Sequence, residues 1–76
     1  MKLRIIVTLK NGVLDPQGRA IQHALGSLGF EGVDDVRAGK LFELEVADST
    51  SDEAIAGMCE KLLANTVIEN YRVEKL

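Results

Sequence analysis

The chain predicts an α+β domain: a two-layer sandwich of order β-α-β-α-β, with two helices on one face of a small sheet. Three observations carry this. Stretches near both ends and in the middle repeat apolar residues at every second position, as half-buried strands do. The two stretches between them repeat apolar residues at helical spacing. And the middle strand pattern, Val36–Val46, is too long for so small a domain to cover. There Val36, Ala38, Phe42, Leu44 and Val46 alternate with a charged side that includes Arg37, Glu43 and Glu45, and only Lys40 breaks the apolar side. At roughly 3.3 Å per residue the run would reach about 36 Å, beyond the usual strand of about 5–6 residues. Either it folds back at Ala38-Gly39-Lys40, or its far end is covered by a second copy of the chain. The second is the expectation: a long, bent central strand shared in a dimer.

In chain order, Leu3, Ile5, Val7 and Leu9 alternate with Lys2, Arg4, Thr8 and Lys10 in a first strand, ended by the turn residues Asn11-Gly12. Asp15-Pro16 starts a helix, Asp15 as the cap and Pro16 where a missing N–H costs nothing. Ala20, Ile21, Ala24, Leu25 and Leu28 share one face of it, Arg19, Gln22, His23 and Gly26 the other, and Gly29 stops it. After the middle strand, Ser49/Asp52 and Thr50/Glu53 both have capping-box spacing. Ile55, Met58, Cys59, Leu62 and Leu63 then form the stripe of a second helix, with Asn65 as its stop. Val67 to Glu74 is the last strand, with Val67, Tyr71 and Val73 on one face. The frame is ferredoxin-like in character, and residues 1–76 form a single domain.

Composition narrows the function. A domain of 76 residues buries only about 60% of the surface its unfolded chain exposes, so it needs help from a metal, a disulfide or oligomerisation. One Cys and one His cannot close a metal site, and Cys59 has no partner for a disulfide, so oligomerisation is left. A net charge of -3 argues against nucleic acid as a partner, and Phe30, Phe42 and Tyr71 are too few for a stacking platform. No apolar run approaches membrane-spanning length. The chain is expected to be cytoplasmic, with no membrane partner.

With both helices on one sheet face, the other face stays open. Ile6, Leu41 and Ile68 point there and form the expected contact with a second copy. The loop from Gly12 into the helix after Asp15 has no glycine-rich phosphate-loop spacing. His23 has no triad partner, and Cys59 sits in an apolar stripe as a small hydrophobe. The acidic residues Asp34, Asp35, Asp48, Asp52 and Glu53 are explained by turns and caps. The residues name no catalytic site, no metal site and no cofactor site.

The segments LKNGVLDPQGRAIQHALGSLGF, VRAGKLFELEV and CEKLLANTVIENYRVE closely resemble the PurS family, the small subunit of bacterial and archaeal phosphoribosylformylglycinamidine synthase. The resemblance runs from Leu9 to Glu74 in the same order. It implies a non-catalytic subunit of a purine-biosynthesis ligase. In that complex a glutaminase subunit releases ammonia, and a synthetase subunit uses ATP and Mg²⁺ to activate the amide oxygen of formylglycinamide ribonucleotide. Ammonia then displaces the phosphate to give the amidine. The small subunit, a symmetric dimer, would dock the two and help ammonia pass. It would hold no cofactor itself. Exposure assigns docking to Arg19, Gln22 and His23 and to the turns around Asp15 and Asn65. Two other classes share such a frame: a dimeric regulatory module binding an amino acid, and an acyl-phosphate hydrolase. For the hydrolase, Arg19 and Asn11 are in the wrong setting.

Overall fold

A computed structural model describes all residues, 1–76. The elements are β1 (Lys2–Leu9), α1 (Pro16–Ser27), β2 (Gly39–Glu45), α2 (Asp52–Met58), a wide π turn (Cys59–Leu63) that continues α2, and β3 (Glu69–Lys75). The order is the expected β-α-β-α-β in a ferredoxin-like arrangement. The sheet runs β2-β1-β3, and β1 pairs antiparallel with both neighbours. β1 takes the middle because its alternation is the most apolar: Leu3, Ile5 and Val7 are all fully buried. The Val36–Val46 stretch, the middle strand in chain order, supplies an edge of the sheet.

That stretch is also shorter as a strand than its pattern. Pairing with β1 ends at Thr8 opposite Gly39, and Val36–Ala38 turns aside toward the start of α1. It does not double back into a hairpin at Ala38-Gly39-Lys40. Gly39 is required at the departure point, since a Cβ there would lie 2.6 Å from the Val7 carbonyl oxygen.

The core lies on one sheet face. β2 and β3 flank β1 and are therefore mutually parallel, and α2 makes the crossover between them. Ile55, Cys59 and Ala64 bury against Leu3, Ile5 and Val7, with Phe42, Leu44, Leu63, Tyr71 and Val73 at the margin. α2 is capped by Ser51, whose hydroxyl accepts from the Ala54 N–H at 3.1 Å, so the capping pairs read at Ser49 and Thr50 are displaced. The wide turn resets the stripe. The Ala64 N–H reaches the Cys59 carbonyl five residues back, at 2.8 Å, which places Ala64 in the core and turns Leu62 out to 84% exposure. Val67, read as the start of the last strand, lies in the turn before it and is exposed.

The two-helix face is where expectation and structure differ most. Adjacent antiparallel strands need no crossover, so α1 is not carried over the sheet. With the returning residues 28–38 it forms a long arm between β1 and β2. No residue of α1 belongs to the core or packs against it. Ile21 and Leu28 of its apolar stripe are exposed and Leu25 is half-buried. The molecule extends 49 × 25 × 14 Å, with a radius of gyration of 15.6 Å against about 11 Å for a compact chain of this length.

Candidate functional site

At the root of the arm a small cluster ties the chain together. Asp15 caps α1 and is 5% exposed. One carboxylate oxygen accepts from the Gly18 N–H and the other from the Ala38 N–H, both at 2.8 Å. These bonds, Gly18 first, hold its carboxyl below the usual carboxylate value, and the nearby Arg37 guanidinium adds to the effect. The Arg37 fork donates to the Leu9, Lys10 and Val13 carbonyls at 3.3, 3.2 and 3.2 Å. Gly18 completes the fit, because a Cβ there would collide with the Val36 carbonyl oxygen. Asp15, assigned to docking from its place in a turn, is thus turned inward. Leu14, Pro16 and Gln17 are the exposed parts of that turn.

Beside this cluster a cavity of about 330 Å³ opens on the part of the core face that α2 leaves bare, lined by Val7, Leu9, Asp15, Pro16, Lys40 and Glu69 among others. Glu69 is held there: it accepts from the Asn65 N–H at 2.7 Å and lies 3.8 Å from the Lys40 ammonium.

Of the three residues predicted for the open sheet face, the register places two on it. Ile6 sits opposite Leu41 in register, so those two adjoin. Ile68 lies in the turn before β3, its carbonyl accepting from the N–H of Lys10, four residues along the chain from Ile6. Around Ile6 and Leu41 run the ion pairs Lys2–Glu43 at 3.5 Å and Arg4–Glu74 at 4.0 Å.

On the polar side of α1, Arg19 and His23 are exposed, but Gln22 is engaged. Its amide donates to the Val33 and Asp34 carbonyls at 3.2 and 2.9 Å, so the returning segment lies along this side and the apolar stripe is left uncovered. Asn65 organises its own turn, its side-chain oxygen accepting from the Val67 N–H at 3.1 Å.

Sequence reasoning missed a row of unpaired backbone. From Glu31 to Arg37 no N–H donates to a protein acceptor, although the Val33 and Asp34 carbonyls accept from Gln22, and Gly32, at φ 83°, interrupts any extended line. The alternating pattern begins only at Val36, so nothing periodic marks Glu31–Asp35.

Of the nucleophilic side chains, Cys59 is fully buried, and burial pushes its thiol pKa up. The Tyr71 hydroxyl donates to Glu60 at 3.1 Å, and that bond keeps its pKa raised. No group of three or more His, Cys, Asp or Glu is gathered to hold a metal ion, and no helix is long and apolar enough to cross a membrane.

Residues 2–76 match the family model PurS: phosphoribosylformylglycinamidine (FGAM) synthase. The phosphoribosylformylglycinamidine synthase subunit PurS of Bacillus subtilis is 56% identical over 75 residues, covering 96% of this chain and 89% of its own. A solved structure of B. subtilis PurS superposes with a TM-score of 0.86, covering 96% of this chain and 94% of that one. A chain in the structure of PurLQS from Thermotoga maritima, 35% identical, superposes with a TM-score of 0.85 over 99% of this chain and 95% of that one. The chain belongs to the PurS family, subunits of phosphoribosylformylglycinamidine synthase, a ligase complex of purine biosynthesis.

Proposed function

We propose that this chain is the non-catalytic small subunit that docks the glutaminase and synthetase subunits of phosphoribosylformylglycinamidine synthase and assists ammonia transfer between them. The reaction is the ATP-dependent conversion of formylglycinamide ribonucleotide and glutamine to formylglycinamidine ribonucleotide and glutamate. ATP and Mg²⁺ belong to the synthetase partner. The PurLQS assembly of T. maritima, which holds a similar chain, supports the partners.

The observation that carries the reading is how little of the chain's apolar surface it uses itself. The core is one face of one sheet, while Leu28 and Phe30 on the arm, Leu41 on the open face, and Leu62 and Val67 beyond α2 are all more than half exposed. So many separate apolar sites on one small chain fit a protein covered from several sides. A second copy takes the first share. The run Glu31–Arg37, whose N–H groups find no acceptor within the chain, offers them to that copy, and Ile6 with Leu41 offers an apolar contact. Arg19, His23 and the Asn65 turn remain for the larger subunits.

The chemistry asked of such a subunit is exclusion of water. Ammonia reaching bulk water is protonated and ceases to be a nucleophile, so a packed, closed path keeps it reactive. The experiment is reconstitution with both partner subunits. Leaving this chain out should abolish glutamine-dependent amidine formation while ammonium salts still drive the synthetase. Unchanged glutamine-dependent activity without it would end the reading.

A further inference from the structure

We propose that Asp15 and Arg37 form a clasp that sets the direction of the α1 arm, and so positions its apolar stripe for the copy that covers it. This rests on the dimeric reading above. The arm contributes nothing to the core, so core packing does not hold its angle. The internal bonds of the arm, such as Gln22 to Val33 and Asp34, tie α1 to its own return segment and leave the direction of the whole free.

What joins the arm to the sheet is its root. The outgoing strand-to-helix loop and the returning segment are far apart in sequence, and two side chains lock them together. Asp15, on the outgoing side, takes the N–H of Ala38 on the returning side while it caps α1 through Gly18. Arg37, on the returning side, takes three carbonyls, Leu9, Lys10 and Val13, on the outgoing side. The bonds run in both directions across one gap, and the Val36 carbonyl seated over Gly18 closes it. A fork with several donors in one plane suits this work. A lysine carries the same charge on a single nitrogen, without the second nitrogen by which Arg37 reaches Val13 as well as Leu9 and Lys10. In Asp15→Asn the amide can still cap Gly18, yet its NH2 then faces the Ala38 N–H donor to donor.

The test measures the angle directly. Spin labels on Ser27→Cys in α1 and Glu45→Cys at the far end of β2 report the distance along the molecule, with labelled chains diluted in excess unlabelled chain. Cys59 is buried and stays unlabelled. The clasp predicts one narrow distance in the parent and a broader, shorter distribution in Asp15→Asn, Arg37→Ala and Arg37→Lys. In the same three variants self-association should weaken at least ten-fold, while Cys59 stays protected from a thiol reagent, which reports an intact core. A distance distribution unchanged by all three variants overturns the proposal, as does a broadened distribution with unchanged self-association. A parent chain that sediments as a monomer would remove the dimeric reading instead, and the label distances alone would then decide the clasp.

Discussion

Asp15 shows how much one side chain does here. Its two oxygens are each committed to a backbone N–H, Gly18 and Ala38, at 2.8 Å. Its folded pKa lies below the ordinary 3.8, so its contribution to stability is fully present above that value and is lost as pH falls through the lowered one. Thermal melts carried down the acid range should therefore fall more steeply for the parent than for Asp15→Asn, which starts lower and has no proton to gain. The cap was legible in the sequence, because Asp-Pro before an apolar helical stripe is a local signal. The bond to Ala38 was not, since nothing local marks a partner 23 residues away. Cys59 is the converse case, read as a buried hydrophobe from its stripe and found fully buried. Burial shields the thiol and also raises its pKa, so it should react with a thiol reagent far more slowly in the native protein than in urea.

Among the elements, α2 is where periodicity misleads. A regular helix would put Leu62 on the stripe with Ile55 and Cys59. The π turn at Cys59–Leu63 inserts one residue into the cycle, so Ala64 is buried and Leu62 is not. Urea unfolding should then separate two apolar residues that look alike in sequence. Ile55→Ala should cost about 2–5 kcal/mol, and Leu62→Ser less than about 0.5 kcal/mol. Equal losses would mean that α2 continues as a regular helix. α1 is the second lesson. Its amphipathic pattern is real, and it forms from Pro16 to Ser27 as the cap and Gly29 (φ 92°) require. But an amphipathic helix states only that its apolar face meets something, and here that is not its own sheet.

At the scale of the molecule, the extended shape follows from the antiparallel pairing of β1 with β2, which makes α1 part of a hairpin arm. An uncovered arm with an open sheet face is expected to associate, so the melting temperature should rise with protein concentration, as it does for a folded state stabilised by its partner. Leu41→Lys places a charge between Ile6 and the ion pairs of that face and should shift sedimentation toward monomer with Cys59 still protected. A dimer unaffected by Leu41→Lys would take the open face out of the interface and leave the arm and its unpaired run to supply it.

Local chemistry was enough to determine the element order, the caps of α1, the buried face of β1 and the surplus length of the stretch from Val36. Each of these is written in neighbouring residues as a period of two, a period near four, or a turn residue. Only the tertiary structure decided that β1 is the middle strand, that α1 leaves the sheet, and that Asp15 and Arg37 join the two ends of the arm. Those outcomes depend on which distant backbone groups pair, and a hydrogen bond between remote segments leaves no periodic trace in either one.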